Sequence, residues 1–197
     1  MQIHGALAAS LLFFIAGVVS LRGSELIAPA PINEVSIRTT PAFTVIETDT
    51  IGSLDTAWTK GFHVGARYTA LANAGLNTPT IMTFPDWEKT PSAEGSRVHV
   101  LVQCLLQPMP DYPRVRDHDG ELRKMTSMTV ACYAQQGAYS AASFQAGLKK
   151  IQDYLKARSI PSVGPPRYLY YSDSNWMPSW WRVGEVQVPI PSGIAPN

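Results

Sequence analysis

The sequence predicts an α+β fold in which two similar βαββ units share one antiparallel sheet. Residues 43–106 read as extended run, helix, extended run and extended run, and residues 128–190 repeat that order. A unit of this size cannot cover its own apolar sheet face, so the two copies are expected to pack as one domain with pseudo-two-fold symmetry. We therefore expect two main helices on one face of the sheet and a ligand cleft on the other, since the boundary between similar halves favours a pocket.

The first unit begins with a strand that leads into an amphipathic helix. Residues 43–48 are β-branched and partly alternating, which is typical of a strand. Leu54, Trp58 and Phe62 recur at every fourth position and form an apolar row that can lie on a sheet. Two further runs are expected to close the unit as strands, at residues 80–84 and 97–106.

The second unit follows the same order with a clearer helix. Residues 128–133 predict a strand, and residues 140–156 predict an amphipathic helix with lysines on its outer face. Prolines and a glycine at 161–166 end that helix and turn the chain. The closing strands of this unit are expected at residues 167–171 and 180–189.

The chain divides into four segments by composition. Residues 6–21 are apolar and uncharged, which favours either an uncleaved single-helix membrane anchor or a cleaved export signal that would place the protein in the periplasm or outside the cell. The residues that follow are rich in proline and predict a stiff, extended tether, although its end at residues 34–38 is alternatively part of the sheet. The expected division is an anchor or signal at 1–23, a tether at 24–41, a ligand-binding domain at 42–191 and a tail at 192–197.

Composition and charge exclude several classes of partner. The formal net charge is +1 and 16% of residues are charged, so there is no basic stripe for nucleic acid. His118, flanked by Asp117 and Asp119, lacks the further ligands that a metal site needs, so we expect neither a metal nor a cofactor. Cys104 and Cys132 lie in predicted strands and are expected to be free thiols.

The last predicted strand carries the candidate site. Successive side chains of a strand point to opposite faces, so Val186 and Val188 share one face and Glu185 lies on the other. The all-apolar face should meet the helices, because a carboxylate buried there without a partner would be costly. We expect Trp181 and at least one of Tyr168 and Tyr170 beside Glu185.

The corresponding strand of the first unit adds a histidine to this site. Alternation along that strand separates His99 from the valines expected to face the core. A two-fold relation between the halves would bring His99 to the same cleft as Glu185. An ordinary solvent-facing strand position is the alternative reading of His99.

These residues carry a resemblance to a known family. The βαββ-βαββ order, the Gly-Pro-Pro-x-x-x-Tyr run at 164–171 and the Gly-Glu-Val-Gln-Val-Pro-Ile run at 184–190 resemble the GyrI-like small-molecule-binding domain. That superfamily includes the effector-binding domains of bacterial regulators and the SOUL haem-binding proteins. The resemblance covers about residues 35–191 and implies an aromatic cleft with an acidic residue, Glu185 here, that contacts planar or cationic ligands.

The resemblance leaves two alternatives to simple ligand binding. Some relatives are similar to hydrolases of reactive cyclopropane-bearing toxic molecules, in which Glu185 would act as general base with His99 as its helper. Haem or tetrapyrrole binding is the second alternative, although no histidine matches a SOUL haem ligand. The sequence favours a non-catalytic binding module, with ligand contacts expected from five residues: Glu185, Trp181, Tyr168, Tyr170 and His99.

Overall fold

The computed structural model describes residues 28–51, 54–71, 75–84, 97–105, 120–171 and 178–194. The described strands are β1 (Val35–Thr40), β2 (Phe43–Ile51), β3 (Gly75–Thr83), β4 (Arg97–Leu105), β5 (Glu121–Met125), β6 (Met128–Gln136), β7 (Arg167–Tyr170) and β8 (Val183–Pro189). The described helices are α1 (Leu54–Leu71), α2 (Ala141–Ala157) and a short 3₁₀ helix (Ser179–Trp181).

The predicted duplicated α+β fold is confirmed. The first unit is β2-α1-β3-β4 and the second is β6-α2-β7-β8, in one sheet of order β1-β6-β8-β7-β3-β4-β2-β5. The order is symmetrical about the β7–β3 seam, with all pairings between named strands antiparallel. Both helices lie on one face, because Ala57 and Trp58 of α1 pack in the same apolar cluster as Phe144 and Ile151 of α2, here called the helix-side cluster.

The sheet is strongly curled. β1 lies at one edge and β2 is the second strand from the other edge, yet only Pro41 and Ala42 separate them along the chain. Similarly, only Thr126 and Ser127 separate β5 from β6. A flat sheet would hold each of these pairs about 29 Å apart, since neighbouring strands are about 4.8 Å apart. Two linking residues span about 11 Å at most, so the two edges must approach each other.

Curling gives the sheet a concave face opposite the helices. The side chains of this face include an apolar cluster formed across the closing edges, here called the concave cluster. Its members are Val45, Ile81, Met125 and Leu169, with Phe43, Met128 and Tyr171 packed against them. The helix-free face is therefore an interior surface, which is where the sequence places a ligand cleft.

The structure corrects the predicted start of the domain. Residues 24–41 were assigned to a tether, with the sheet as the alternative for residues 34–38. The structure supports that alternative, because Val35–Thr40 is an edge strand that pairs with β6 along its whole length. Its alternation explains this: Ile37 packs in the helix-side cluster, while Arg38 takes the opposite side of the strand. A further strand, β5 (Glu121–Met125), lies between the two predicted units in the sequence and pairs with the edge of β2.

The predicted anchor or signal at 1–23 lies outside the described residues, as do residues 24–27 of the tether. Among the described helices, none is long and apolar enough to cross a membrane.

Candidate ligand-binding site

The predicted facing of the last strand is confirmed. Val186 and Val188 pack in the helix-side cluster, whereas Glu185 lies on the concave face and has no exposed surface. The register places Glu185 between Ala134 of β6 and Leu169 of β7. A fully buried carboxylate needs hydrogen-bond donors, because burying the charge without them is costly.

Glu185 has four donors, two for each carboxylate oxygen. The backbone N–H of Ala30 donates to Oε2 at 2.7 Å and the Tyr171 hydroxyl donates to Oε2 at 3.1 Å. The Gln187 side-chain amide donates to Oε1 at 2.7 Å, and a guanidinium nitrogen of Arg38 forms an ion pair with the same oxygen. The negative charge is thus compensated within the protein.

Arg38 links the N-terminal segment to this carboxylate. Its Nη2 also donates to the Tyr171 hydroxyl at 3.1 Å, and its Nη1 donates to the carbonyl of Ala28. Desolvation alone would lower the pKa of Arg38, but the charge of Glu185 and then Tyr171 outweigh it, so the pKa is raised. The Arg38 side chain keeps 23% of its surface exposed, so one side of the ion pair meets solvent.

Two further groups are shifted by the same environment. Burial, reinforced by the charge of Glu185, raises the pKa of the Tyr171 phenol. The same two causes raise the pKa of the Cys132 thiol to about 11. Cys132 is a free, buried cysteine that donates to the carbonyl of Ser36 at 3.2 Å, which agrees with the expected free thiol. Both groups therefore stay protonated and neutral around Glu185 at pH 7.

Tyr168 and Tyr170 do not lie beside Glu185. Both belong to the helix-side cluster, where the Tyr170 ring stacks on Tyr139 with centroids 3.8 Å apart. The pairing of Leu169 with Glu185 explains this, because directly paired residues share a face and their neighbours take the other. The expectation that either tyrosine shares the face of the glutamate is wrong, and Tyr171 takes that position.

Trp181 also lies away from the carboxylate. The sequence predicted a strand from residue 180, but residues 179–181 form a 3₁₀ turn and β8 begins at Val183. Trp181 is 62% exposed, with Trp180 equally exposed beside it. Strand alternation therefore does not extend to Trp181, and the prediction that it faces Glu185 is wrong.

His99 lies on β4, where the register pairs it with Asp49 and Thr83. Its side chain lies outside the described residues. Glu185 lies three strands away in sheet order, on β8. The joint action of His99 and Glu185 therefore stays a prediction.

Sequence reasoning missed Arg38 and Gln187 as partners of Glu185. Gln187 was placed on the correct face by alternation, but its hydrogen bond to Glu185 was not anticipated. Arg38 stands alone as a charged residue in the β-branched run Val35–Thr40, and that isolation was a usable signal of an internal ion pair.

A separate groove lies on the helix side of the sheet. It has a volume of about 220 Å³ and lies between the C-terminal half of α2 and β8, where Leu148, Leu155 and Val188 contribute apolar surface. The sheet separates it from Glu185, so it is not the cleft expected from the sequence. In the described part of the chain, no three His, Cys, Asp or Glu side chains converge as a metal site would require.

Solved structures with the same fold share little sequence with this chain. No family model and no curated protein matches it. The C-terminal domain of EcmrR matches with a TM-score of 0.65 at 13% identity, over 80% of this chain and 97% of that one. An uncharacterised conserved protein from Listeria innocua matches with a TM-score of 0.64 at 10% identity, over 82% of this chain and 94% of that one.

A hydrolase from Listeria innocua also matches, with a TM-score of 0.56 at 9% identity, over 82% of this chain and 94% of that one. Each likeness covers at least 80% of this chain, so it includes parts of both βαββ units. They establish the fold, and they agree with the GyrI-like fold expected from the sequence.

Proposed function

With the GyrI-like fold as the premise, we propose that the domain binds small organic molecules on the concave face of its sheet. Glu185 is the acidic group of this site, and planar cationic aromatic compounds are its ligands. The observation that carries the proposal is a fully buried carboxylate on the last strand, next to a phenol and an apolar surface. A cleft with an apolar wall and a few placed polar groups is the usual form of a small-molecule site.

The Arg38 guanidinium occupies the place that a cationic ligand would take. It is itself a planar cation, and it touches both the carboxylate of Glu185 and the hydroxyl of Tyr171. Arg38 is partly exposed and Ala28 beside it is exposed, so both residues can move into solvent without disrupting the hydrophobic core. A ligand cation that enters must therefore replace Arg38.

The replacement of Arg38 by a ligand favours ligands that carry a positive charge. Removing one partner of a buried ion pair costs about 3–5 kcal/mol, because the other charge is left uncompensated. A cationic ligand restores the pair with Glu185, whereas a neutral ligand of the same shape does not. The internal ion pair thus rejects neutral compounds from the carboxylate more strongly than an unpaired glutamate would.

The test compares 10-methylacridinium, a planar cation, with acridone, a neutral molecule of similar shape. In Glu185→Gln the cation should bind about tenfold or more weakly, a loss of about 1.4 kcal/mol, while acridone should change little. In Arg38→Gln the cation should bind about tenfold more tightly, because its internal competitor is gone. Titration by fluorescence gives both affinities.

Lys150→Gln is the matched control, since Lys150 is an exposed residue of α2 on the other side of the sheet. It removes one positive charge and should leave both affinities unchanged. Equal losses for both dyes in Glu185→Gln would show that its charge is not used. Weaker cation binding in Arg38→Gln would show that Arg38 does not compete with the ligand.

Hydrolysis at the same carboxylate is the second candidate, favoured by the presence of a hydrolase among proteins of this fold. A general base must reach a water with a free lone pair, and Glu185 accepts four hydrogen bonds within the chain. This function therefore requires Arg38 and the Ala30 segment to leave first. Turnover of a cyclopropane-bearing substrate that disappears in Glu185→Gln supports it, and binding without turnover contradicts it.

The N-terminal segment gives the domain its location in this proposal. We propose that residues 1–23 hold the domain at a membrane as a single helix, or direct its export, because residues 6–21 are apolar and uncharged. Cell fractionation with N-terminal sequencing of the mature protein separates the two outcomes. Recovery of the intact chain in the soluble cytoplasmic fraction contradicts both.

A further inference from the structure

A second arginine lies on the concave face without a counter-charge. Arg167 opens β7, and the register pairs it with Gln187 of β8 and Thr83 of β3. Gln187 lies two residues from Glu185 on the same strand, so Arg167 shares the concave face with it. Arg167 is only 8% exposed, and its Nε has no hydrogen-bond partner. Among the described residues, no carboxylate forms an ion pair with it.

The other charges on this face do not compensate Arg167. Glu185 is paired with Arg38, and Glu47 is paired with Arg123 at 2.7 Å. Burial, and then the positive charge of Arg123, lower the pKa of Arg167. The guanidinium nevertheless stays charged at pH 7, because an arginine titrates far above that pH. Asp49 and Glu121 lie on the same face by register, but neither forms an ion pair with Arg167. Arg167 is therefore a buried charge without a direct counter-charge among the described residues, and such a charge is strongly destabilising.

Apolar side chains adjoin the unpaired guanidinium. Leu169 lies two residues along β7 and therefore points to the same face, and it pairs with Ile81 of the neighbouring strand. Both are fully buried in the concave cluster, which continues to Tyr171. A cation beside such a surface matches a ligand that has one anionic group and an apolar body.

We propose that Arg167 binds the carboxylate of a small aromatic or aliphatic acid whose apolar body packs against the concave cluster. A guanidinium suits this role, because its planar fork can donate two parallel hydrogen bonds to a carboxylate. The bound anion supplies the direct counter-charge that Arg167 lacks. This inference goes beyond the proposed function, because it adds a subsite of opposite charge that does not use Glu185.

The first experiment measures binding of 2-naphthoate and of its neutral isostere 2-naphthamide to the full chain by calorimetry. Wild type should bind 2-naphthoate at least tenfold more tightly than 2-naphthamide. Arg167→Gln should remove that difference, and Arg167→Lys, which keeps the charge without the fork, should retain part of it. Lys150→Gln, which removes a distant exposed charge, should behave as wild type.

The second experiment measures thermal unfolding without a ligand. Arg167→Gln should raise the melting temperature or leave it unchanged, because it removes an uncompensated charge from the interior. Added 2-naphthoate should raise the melting temperature of wild type and should not raise that of Arg167→Gln. This measurement also reports whether the variant is folded.

Two results overturn the inference. Equal affinities of wild type for 2-naphthoate and 2-naphthamide would show that the anion is not recognised. A marked loss of stability in Arg167→Gln, with no response of wild type to the acid, would show that the chain itself compensates Arg167. Neither result bears on cation binding, which is tested with different dyes and at Glu185. The failure of one proposal can therefore be told from the failure of the other.

Discussion

Single side chains on the concave face depend on partners that lie far away in the sequence. Alternation within the last strand was enough to assign Glu185 to one face and Val186 to the other, and the structure confirms this. Alternation within a strand does not give the register between strands, so Tyr168 and Tyr170 were assigned to the wrong face. Arg38 is 147 residues from Glu185, and no local pattern joins the two.

The buried thiol of Cys132 should make stability fall at alkaline pH. Burial raises its pKa to about 11 in the folded protein, whereas an unperturbed thiol has a pKa of about 9, so the unfolded chain loses this proton first. The folded state then binds more protons than the unfolded state between about pH 9 and 11, and stability decreases as the pH rises through that range. Between pH 8 and pH 10 this group should lower the free energy of unfolding by about 1 kcal/mol.

Urea unfolding at the two pH values measures this effect, with Cys132→Ala as the comparison. Between pH 8 and pH 10, the free energy of unfolding should fall by about 1 kcal/mol less in the variant than in wild type. An identical pH dependence in the two proteins would show that the thiol titrates in the folded state as it does in the unfolded chain.

At the level of elements, periodicity predicted the βαββ units well and the edge strands poorly. Both main helices and the six strands of the two units appear in the predicted order, because their apolar rows are long and regular. The edge strands β1 and β5 are short, and each is stabilised by a partner strand rather than by its own pattern. Proline at 29, 31 and 41 made the first edge strand read as part of a tether.

The close approach of α2 to the sheet depends on a glycine. A Cβ at Gly147 would lie 2.8 Å from Cγ2 of Val186 and 3.3 Å from Cδ1 of Tyr133. Gly147→Ala should therefore destabilise the protein by about 1–3 kcal/mol through overpacking. Helix propensity alone would predict that Gly147→Ala stabilises the protein by about 1 kcal/mol.

A double-mutant cycle with Val186→Ala identifies the cause. Removing the methyl groups of Val186 makes room for the added Cβ, so the double variant should be more stable than the sum of the two single changes predicts. Additive effects, measured by chemical denaturation, would mean that the two residues do not press on each other.

At the level of the whole molecule, the two units share one hydrophobic core and are therefore expected to unfold together. One core cluster combines Trp58 and Met82 of the first unit with Phe144, Ile151 and Tyr168 of the second. The sequence predicted this sharing, because neither unit can cover its own sheet. The curl of the sheet was not predictable in the same way, since it follows from the strand order and from two short connections.

Ile151→Ala tests this cooperativity. Ile151 is fully buried, so its truncation should lower the free energy of unfolding by about 2–5 kcal/mol. Hydrogen exchange should then accelerate to a similar degree in the most protected amides of β2 and of β6, although β2 belongs to the other unit. Faster exchange confined to β6, β7 and β8 would show that the units open separately.

The pairing of β1 with β6 also sets an order of events during synthesis. Ser36 lies opposite Cys132, 96 residues later in the chain, and it has no strand neighbour until that residue has left the ribosome. At about 5–20 residues per second this takes about 5–20 s. During that interval β1 is an unpaired segment rich in β-branched residues, and the sheet is still incomplete. Among the described strands, β1 thus waits longest for its partner, and a chaperone that covers it would act during this interval.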